Sequence, residues 1–187
     1  MAERRAKLVE EYYKNKIPNA EILVDNVWDP HNVAAVFRTA DGLGISKINL
    51  YYTYNKFPDF EKTGKKSSSS ANKWMKFERV SDLKGFVSEK KMQGFKFIGA
   101  DVCEEAVKLN EFVFPERVII VLGSEKDGMS KEIREICDEF IFIPMTGMVE
   151  SYNISVAAGI ILYELFRQRG KNLSLGKKEL LSKNREK

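Results

Sequence analysis

Apolar residues recur along this chain in two rhythms. Between residues 20 and 169, short continuous apolar runs alternate with segments whose apolar positions fall three and four apart. The first rhythm is that of buried strands and the second that of helices packed on one face. Strands are predicted over 21–27, 45–52, 95–102, 118–122 and 140–143, with a shorter one over 77–80. Val33, Val36, Phe37, Ala40 and Leu43 form a helical stripe that Gly44 closes. Further helices are predicted over 82–93, 129–137 and 151–169, and the Leu8, Val9, Tyr12, Tyr13 stripe predicts another over 2–14, ended by Pro18. This alternation implies an α/β fold, a mostly parallel sheet sandwiched by helices. Residues 53–73 break the rhythm: they are polar, rich in Lys and Ser, and read as a long connection.

Composition narrows the field. A chain of 187 residues with 43% hydrophobic content suits one domain with appendages. No apolar run reaches membrane-spanning length, and the charged start M-A-E-R-R-A-K is unlike a secretory signal, so a cytoplasmic protein without a membrane partner is expected. Cys103 and Cys137 lack metal-ligand spacing and His31 is the only histidine, so two buried reduced thiols and no metal are expected. The net charge is only +4, but its placement is uneven. Arg4, Arg5 and Lys7 crowd one end, and Lys171, Lys177, Lys178, Lys183, Arg185 and Lys187 the other. Basic ends around a balanced centre fit an anionic polymer, although a solvated tail has the same composition.

Three segments carry candidate chemistry. In N-V-A-A-V-F-R-T-A-D, Arg38 lies on the helix that Asn32 opens; pairing with Asp41, three residues on, is the alternative to a functional role. In V-L-G-S-E-K-D-G, a buried strand ends at Gly123, where parallel α/β sheets bind ligands, or a plain turn follows. The segment contains neither a dinucleotide fingerprint nor a P-loop. In I-P-M-T-G-M-V-E-S-Y-N, a Pro and Gly loop runs into an apolar helix, with Ser151 and Asn153 at the helix start, where a cap or a ligand contact serves equally. Together these residues suggest a small-ligand pocket beside a basic surface.

In this order, the three segments closely resemble the motifs of the SPOUT RNA methyltransferases, in their TrmH (SpoU) ribose 2′-O branch, over roughly residues 20–168. The third motif departs from the usual pattern only in having Tyr152 where Leu is common. The resemblance implies a C-terminal deep trefoil knot, S-adenosyl-L-methionine as cofactor, a homodimer with the site near its interface, and transfer of a methyl group to a ribose 2′-hydroxyl. It implies a catalytic role for Arg38, as base or as phosphate and alkoxide stabiliser, supported by Asn32, Glu125, Ser151 and Asn153. It implies cofactor binding by Ala100, Asp101, Val102, Leu122, Gly123, Ile143 and Met145, with Ser151 and Asn153. Within the branch, the layout resembles enzymes acting on tRNA at the D-loop guanosine at position 18: an extension over 1–19, a methyltransferase domain over 20–169, a basic extension over 170–187, and no separate RNA-binding domain ahead. Asn72-Lys73-Trp74 stands where those enzymes carry a Ser/Ala-rich stretch and a Trp. The alternatives are an anticodon-loop or ribosomal RNA target, and a non-catalytic RNA-binding protein of the same fold.

Overall fold

The computed structural model of the protein describes residues 16–45, 47–58 and 75–169. The expected N-terminal helix, the basic C-terminal extension and the Asn72-Lys73-Trp74 stretch lie outside the described residues. Among the described residues, seven strands, β1 (Ala20–Asp25), β2 (Lys47–Tyr51), β3 (Lys76–Val80), β4 (Lys96–Ala100), β5 (Val107–Lys108), β6 (Val118–Leu122) and β7 (Glu139–Phe142), form one sheet in the order β3-β2-β1-β6-β4-β7-β5. Every pairing between these strands is parallel. Among the described residues, four helices cover it: α1 (Pro30–Gly42), α2 (Leu83–Met92), α3 (Lys131–Ile136) and α4 (Ile154–Arg169).

Strand alternation divides the core in two. Ile22, Val24, Ile120 and Leu122 face α1 and α4, with Val33, Phe37, Ala158 and Ile161 in the same cluster. Leu23, Ile119 and Val121 face the other way, onto Phe86 of α2 and Ile133 of α3. All five residues of β6 are buried, which accounts for its unbroken apolar run; each such side chain contributes about 1.5–3 kcal/mol.

The predicted boundaries shift where backbone chemistry overrides the apolar pattern. Strand 21–27 stops at Asp25, because Asn26 turns into the left-handed region at φ 48°. Helix α1 starts at Pro30, with the Asp29 carboxylate accepting from His31 N at 2.8 Å. Strand 45–52 starts at Lys47, since the Ile45 N–H caps the preceding helix on Ala40 O. Strand 95–102 contracts to Lys96–Ala100 and strand 140–143 shifts to Glu139–Phe142. The last helix starts at Ile154 rather than 151 because Asn153 is its cap: Asn153 Oδ1 accepts from Ser155 N at 2.9 Å and from Ser155 Oγ at 2.7 Å. Both cysteines are free, as expected, but half-buried rather than buried. Burial pushes the Cys137 thiol up to about 12. No helix among the described residues is long and apolar enough to cross a membrane.

A polar cluster holds the N-terminal end of the sheet. Lys90 Nζ lies 2.5 Å from Glu21 Oε1, and Asn49 Nδ2 donates to Glu21 Oε2 at 2.8 Å. Lys90 and Asn49 are buried and Glu21 nearly so. Removing one partner of a buried pair leaves the other charge uncompensated. Lys90→Met is therefore expected to destabilise the protein by about 3 kcal/mol, a fall in Tm of roughly 10 °C at this chain length. Thermal unfolding of the variant checks this.

Candidate active site

The sheet order places a topological switch at β1. From β1 the chain builds outward through β2 and β3, then crosses back to β4, leaving a slot that β6 fills between β1 and β4. Loops leaving the carboxyl ends of strands at such a switch form the usual ligand crevice of an open α/β sheet. The β1–α1 loop and the β6–α3 loop leave adjacent strand ends there.

Both loops are shaped by their sequence. A Cβ on Gly123 would meet the backbone of Gly128 and lie 2.5 Å from Met129 N, so this position admits only glycine. The loop closes on itself through Ser124 N to Gly128 O at 2.8 Å and Gly128 N to Ser124 O at 3.0 Å, with Gly128 at φ 69°. The buried Ser124 Oγ accepts from Lys126 N and Asp127 N. This turn presents Glu125 outward. On the other side, Asp29 and Pro30 start α1 so that Asn32 stands in its first turn.

The predicted residues Asn32, Glu125 and Asn153 meet. Asn32 Nδ2 donates to Glu125 Oε1, and Asn153 Nδ2 donates to Asn32 Oδ1 at 3.0 Å. One side chain thus ties together the three motif segments, 93 and 121 residues apart in sequence. Arg38 and Ser151 do not join this network. Arg38 is exposed, and its guanidinium makes no hydrogen bond or ion pair among the described residues. Six residues beyond Asn32, it stands about 120° around the helix and about 9 Å along it. Asp41, its possible helical partner, instead pairs with Lys16 at 3.0 Å. Ser151 is exposed, two residues ahead of the Asn153 cap.

The residues expected to hold the cofactor come from three neighbouring strand ends. Leu122 and Gly123 end β6, Ala100 to Val102 leave β4, and Ile143 and Met145 leave β7, with β4 in the middle. The floor is apolar: Leu122 and Ile141 are buried, and Ala100 and Ile143 pack against them. Asp101 N donates to Ile141 O at 3.0 Å, and the Asp101 carboxylate pairs with Arg134. Val102 is exposed.

A cavity of about 250 Å³ adjoins this floor, lined by Ile143, Pro144, Leu109, Asn110 and the α4 residues Ile160, Tyr163 and Glu164. A larger one of about 670 Å³ lies against α3 and β7. No predicted site residue lines the larger cavity, so the strand-end crevice is the better candidate despite its smaller volume. Among the described residues, no group of three or more His, Cys, Asp and Glu side chains is placed to hold a metal ion.

The apolar rhythm gave no hint of Asp25 and Asn26, which build the crevice from below. Asp25 Oδ2 accepts from Ser130 N at 2.6 Å, ahead of α3. Asn26 Nδ2 donates to Asp25 Oδ1, and Asn26 Oδ1 accepts from Thr53 N at 2.9 Å and Tyr54 N at 3.3 Å. Burial raises the Asp25 carboxyl above its ordinary value, against the hydrogen bonds that lower it. The Asp-Asn pair after an apolar strand was the available signal, since such residues hydrogen-bond nearby backbone and tolerate positive φ.

The geometry has close counterparts in known proteins. A profile of the SpoU rRNA Methylase family matches residues 19–163. The tRNA (guanosine(18)-2'-O)-methyltransferase of Aquifex aeolicus is 36% identical over 167 residues, covering 89% of this chain and 78% of that protein. The enzyme of the same name from Thermus thermophilus is 34% identical, covering 89% of this chain and 84% of that protein. The crystal structure of the A. aeolicus TrmH/SpoU tRNA modifying enzyme superposes with a TM-score of 0.79 at 31% identity, over 98% of this chain and 94% of that one. The SpoU methyltransferase AviRb from Streptomyces viridochromogenes, solved in complex with AdoMet, superposes at 0.69 with 27% identity, over 81% of this chain and 58% of that one.

Proposed function

Because this chain belongs to the SpoU rRNA Methylase family, we propose that it transfers a methyl group from S-adenosyl-L-methionine to a ribose 2′-hydroxyl of tRNA, at the D-loop guanosine at position 18. The observation that carries this reading is the Asn32–Glu125–Asn153 network, which joins all three motif segments at the carboxyl edge of the sheet.

The residues at the strand ends fit the cofactor. Ala100, Leu122, Ile143 and Met145 supply an apolar floor and backbone groups for the adenosine and methionine parts, with Asp101, Val102 and Gly123 at the rim. When bound, the cofactor supplies an electrophilic methyl on a sulfonium, which departs as a neutral thioether. Asn153 and Ser151 stand at the start of α4, where backbone N–H groups favour negative charge. Arg38 orients the substrate phosphate and stabilises the alkoxide that develops on the ribose oxygen as the hydroxyl proton passes to solvent. A guanidinium stays protonated at neutral pH, which favours this electrostatic role over that of a base.

Arg38 lies outside the Asn32 network and has no partner among the described residues. That supports a homodimer in which each site is completed across the interface, with α1 and α4 as the docking surfaces. Insertion of β6 between β1 and β4, with α4 returning against α1, supports the C-terminal trefoil knot. The methyltransferase domain is 20–169; the extensions 1–19 and 170–187 bind RNA, and a tRNA substrate implies work in the cytoplasm. Neutralising the lysines among residues 177–187 is expected to flatten the salt dependence of tRNA binding, each lost phosphate contact lowering the log–log slope by about 0.7–0.9. Filter binding across a salt series measures it; an unchanged slope removes the tail from the interface.

The test of the function is incubation with labelled S-adenosyl-L-methionine and unmodified tRNA transcript, followed by mapping of the product nucleotide. Label at the D-loop guanosine supports the reading. Label only in the anticodon loop or in ribosomal RNA moves the target, and RNA binding without transfer favours a non-catalytic role.

A further inference from the structure

Two large aromatic side chains face solvent at the rim of this crevice, on backbone that is firmly held. Trp28 is 76% exposed and Tyr54 is 56% exposed. Single exposed apolar residues are common and need no explanation. These two differ because their loops are pinned to one another and to the site. Val27, next to Trp28, is buried, and its carbonyl accepts from Tyr52 Oη at 3.0 Å. Asp29, on the other side, is fixed as the α1 cap. Tyr54 N donates to Asn26 Oδ1 at 3.3 Å, and Asn55 Nδ2 donates to Asn26 O at 2.6 Å. Trp28 is therefore two residues from the side chain that anchors Tyr54, and four residues before Asn32 of the candidate site.

The local charge narrows the occupant. Among the described residues, the charges acting on Tyr54 include those of Asp25, Asp127 and Glu132, Asp29 neighbours Trp28 in the chain, and Lys56 stands two residues beyond Tyr54. Such surroundings disfavour a phosphate track. They tolerate the flat, uncharged face of a nucleobase, which stacks on aromatic rings without regard to phosphate charge.

We propose that Trp28, with Tyr54 on the loop that Asn26 ties to its own, is a stacking surface for an unpaired nucleobase of the RNA substrate. It holds the nucleotide at the crevice while Arg38 deals with the backbone phosphate. This rests on the proposed RNA-directed function and adds to it the residues that grip a base. The base must be unstacked to reach them, so the surface selects loop nucleotides over paired ones.

The chain has two tryptophans, so Trp74→Phe leaves Trp28 as the only one. In that protein, saturating unmodified tRNA transcript is expected to quench the remaining tryptophan fluorescence. Trp28→Ala is expected to raise the KM for tRNA about tenfold, with a much smaller change in kcat, and Trp28→Phe to recover most of the loss. Absent quenching together with a wild-type KM in Trp28→Ala overturns the inference. So does a Trp28→Ala protein whose sedimentation changes while its KM for tRNA does not, since the surface then serves a second copy of the chain. Quenching by RNA in a protein that transfers no methyl overturns the proposed function and leaves the stacking surface standing.

Discussion

Arg38→Ala is expected to lower kcat for methyl transfer by about 10²- to 10³-fold while leaving the affinity for S-adenosyl-L-methionine near wild type. The expectation follows from where the side chain sits. Arg38 is exposed and has no partner among the described residues, so its removal leaves no buried charge or broken contact behind. Stability should change by less than about 0.5 kcal/mol, as for other exposed substitutions. Any large kinetic effect then belongs to the reaction and not to folding. The residues proposed to hold the cofactor follow β4, β6 and β7 and are not on α1 itself. Arg38→Lys should fall between the two, keeping a positive charge but losing the planar fork that engages a phosphate through two bonds. Single-turnover rates with calorimetric cofactor binding separate these outcomes. A variant with wild-type kcat would remove Arg38 from the chemistry.

Asn32→Asp should lower kcat/KM by about 100-fold, and by more than Asn32→Ala. Asn32 donates to Glu125 and accepts from Asn153, so it alone spans the three segments. The aspartate replacement keeps an acceptor for Asn153 but sets a second carboxylate against Glu125. Like charges at contact distance repel, and no donor remains between them. The alanine replacement only deletes both bonds. Adding Glu125→Gln to Asn32→Asp should recover a substantial part of the loss, because the glutamine amide can donate to the new carboxylate. The double-mutant cycle measures that coupling directly. Additive losses would mean that the Asn32–Glu125 contact does not matter to the reaction.

The sequence pattern reached the elements more readily than their arrangement. The run Val118–Leu122 matches its strand residue for residue, because a strand buried on both faces writes itself as continuous apolar sequence. Strand β5 has no counterpart in the sequence pattern: its two residues are exposed and leave no apolar signal. The sequence pattern starts α4 three residues early, since Ser151 and Asn153 are both good caps and only the hydrogen bonds of Asn153 distinguish them. The insertion of β6 between β1 and β4 is a non-local fact that no local periodicity encodes.

The candidate site was legible in a different way. Composition, periodicity and residue type reach a pocket with polar walls and single out Asn32, Arg38, Ser151 and Asn153; the resemblance to SpoU enzymes adds Glu125 and the role of each. Neither could say that Asn32, Glu125 and Asn153 touch while Arg38 stands apart from them. Asp25 and Asn26, which bind the loops of the crevice together, lie in none of the motifs singled out; the Asp-Asn pair marks a turn, and their buried hydrogen bonds show what it holds.

The most direct test of the central claim uses a tRNA transcript with a single 2′-deoxy substitution at the D-loop guanosine at position 18. The base and both phosphates are unchanged, so binding should persist. With labelled S-adenosyl-L-methionine, the account predicts full labelling of the all-ribose transcript and none of the substituted one. Equal labelling of both would contradict it, because the accepting oxygen would then lie elsewhere.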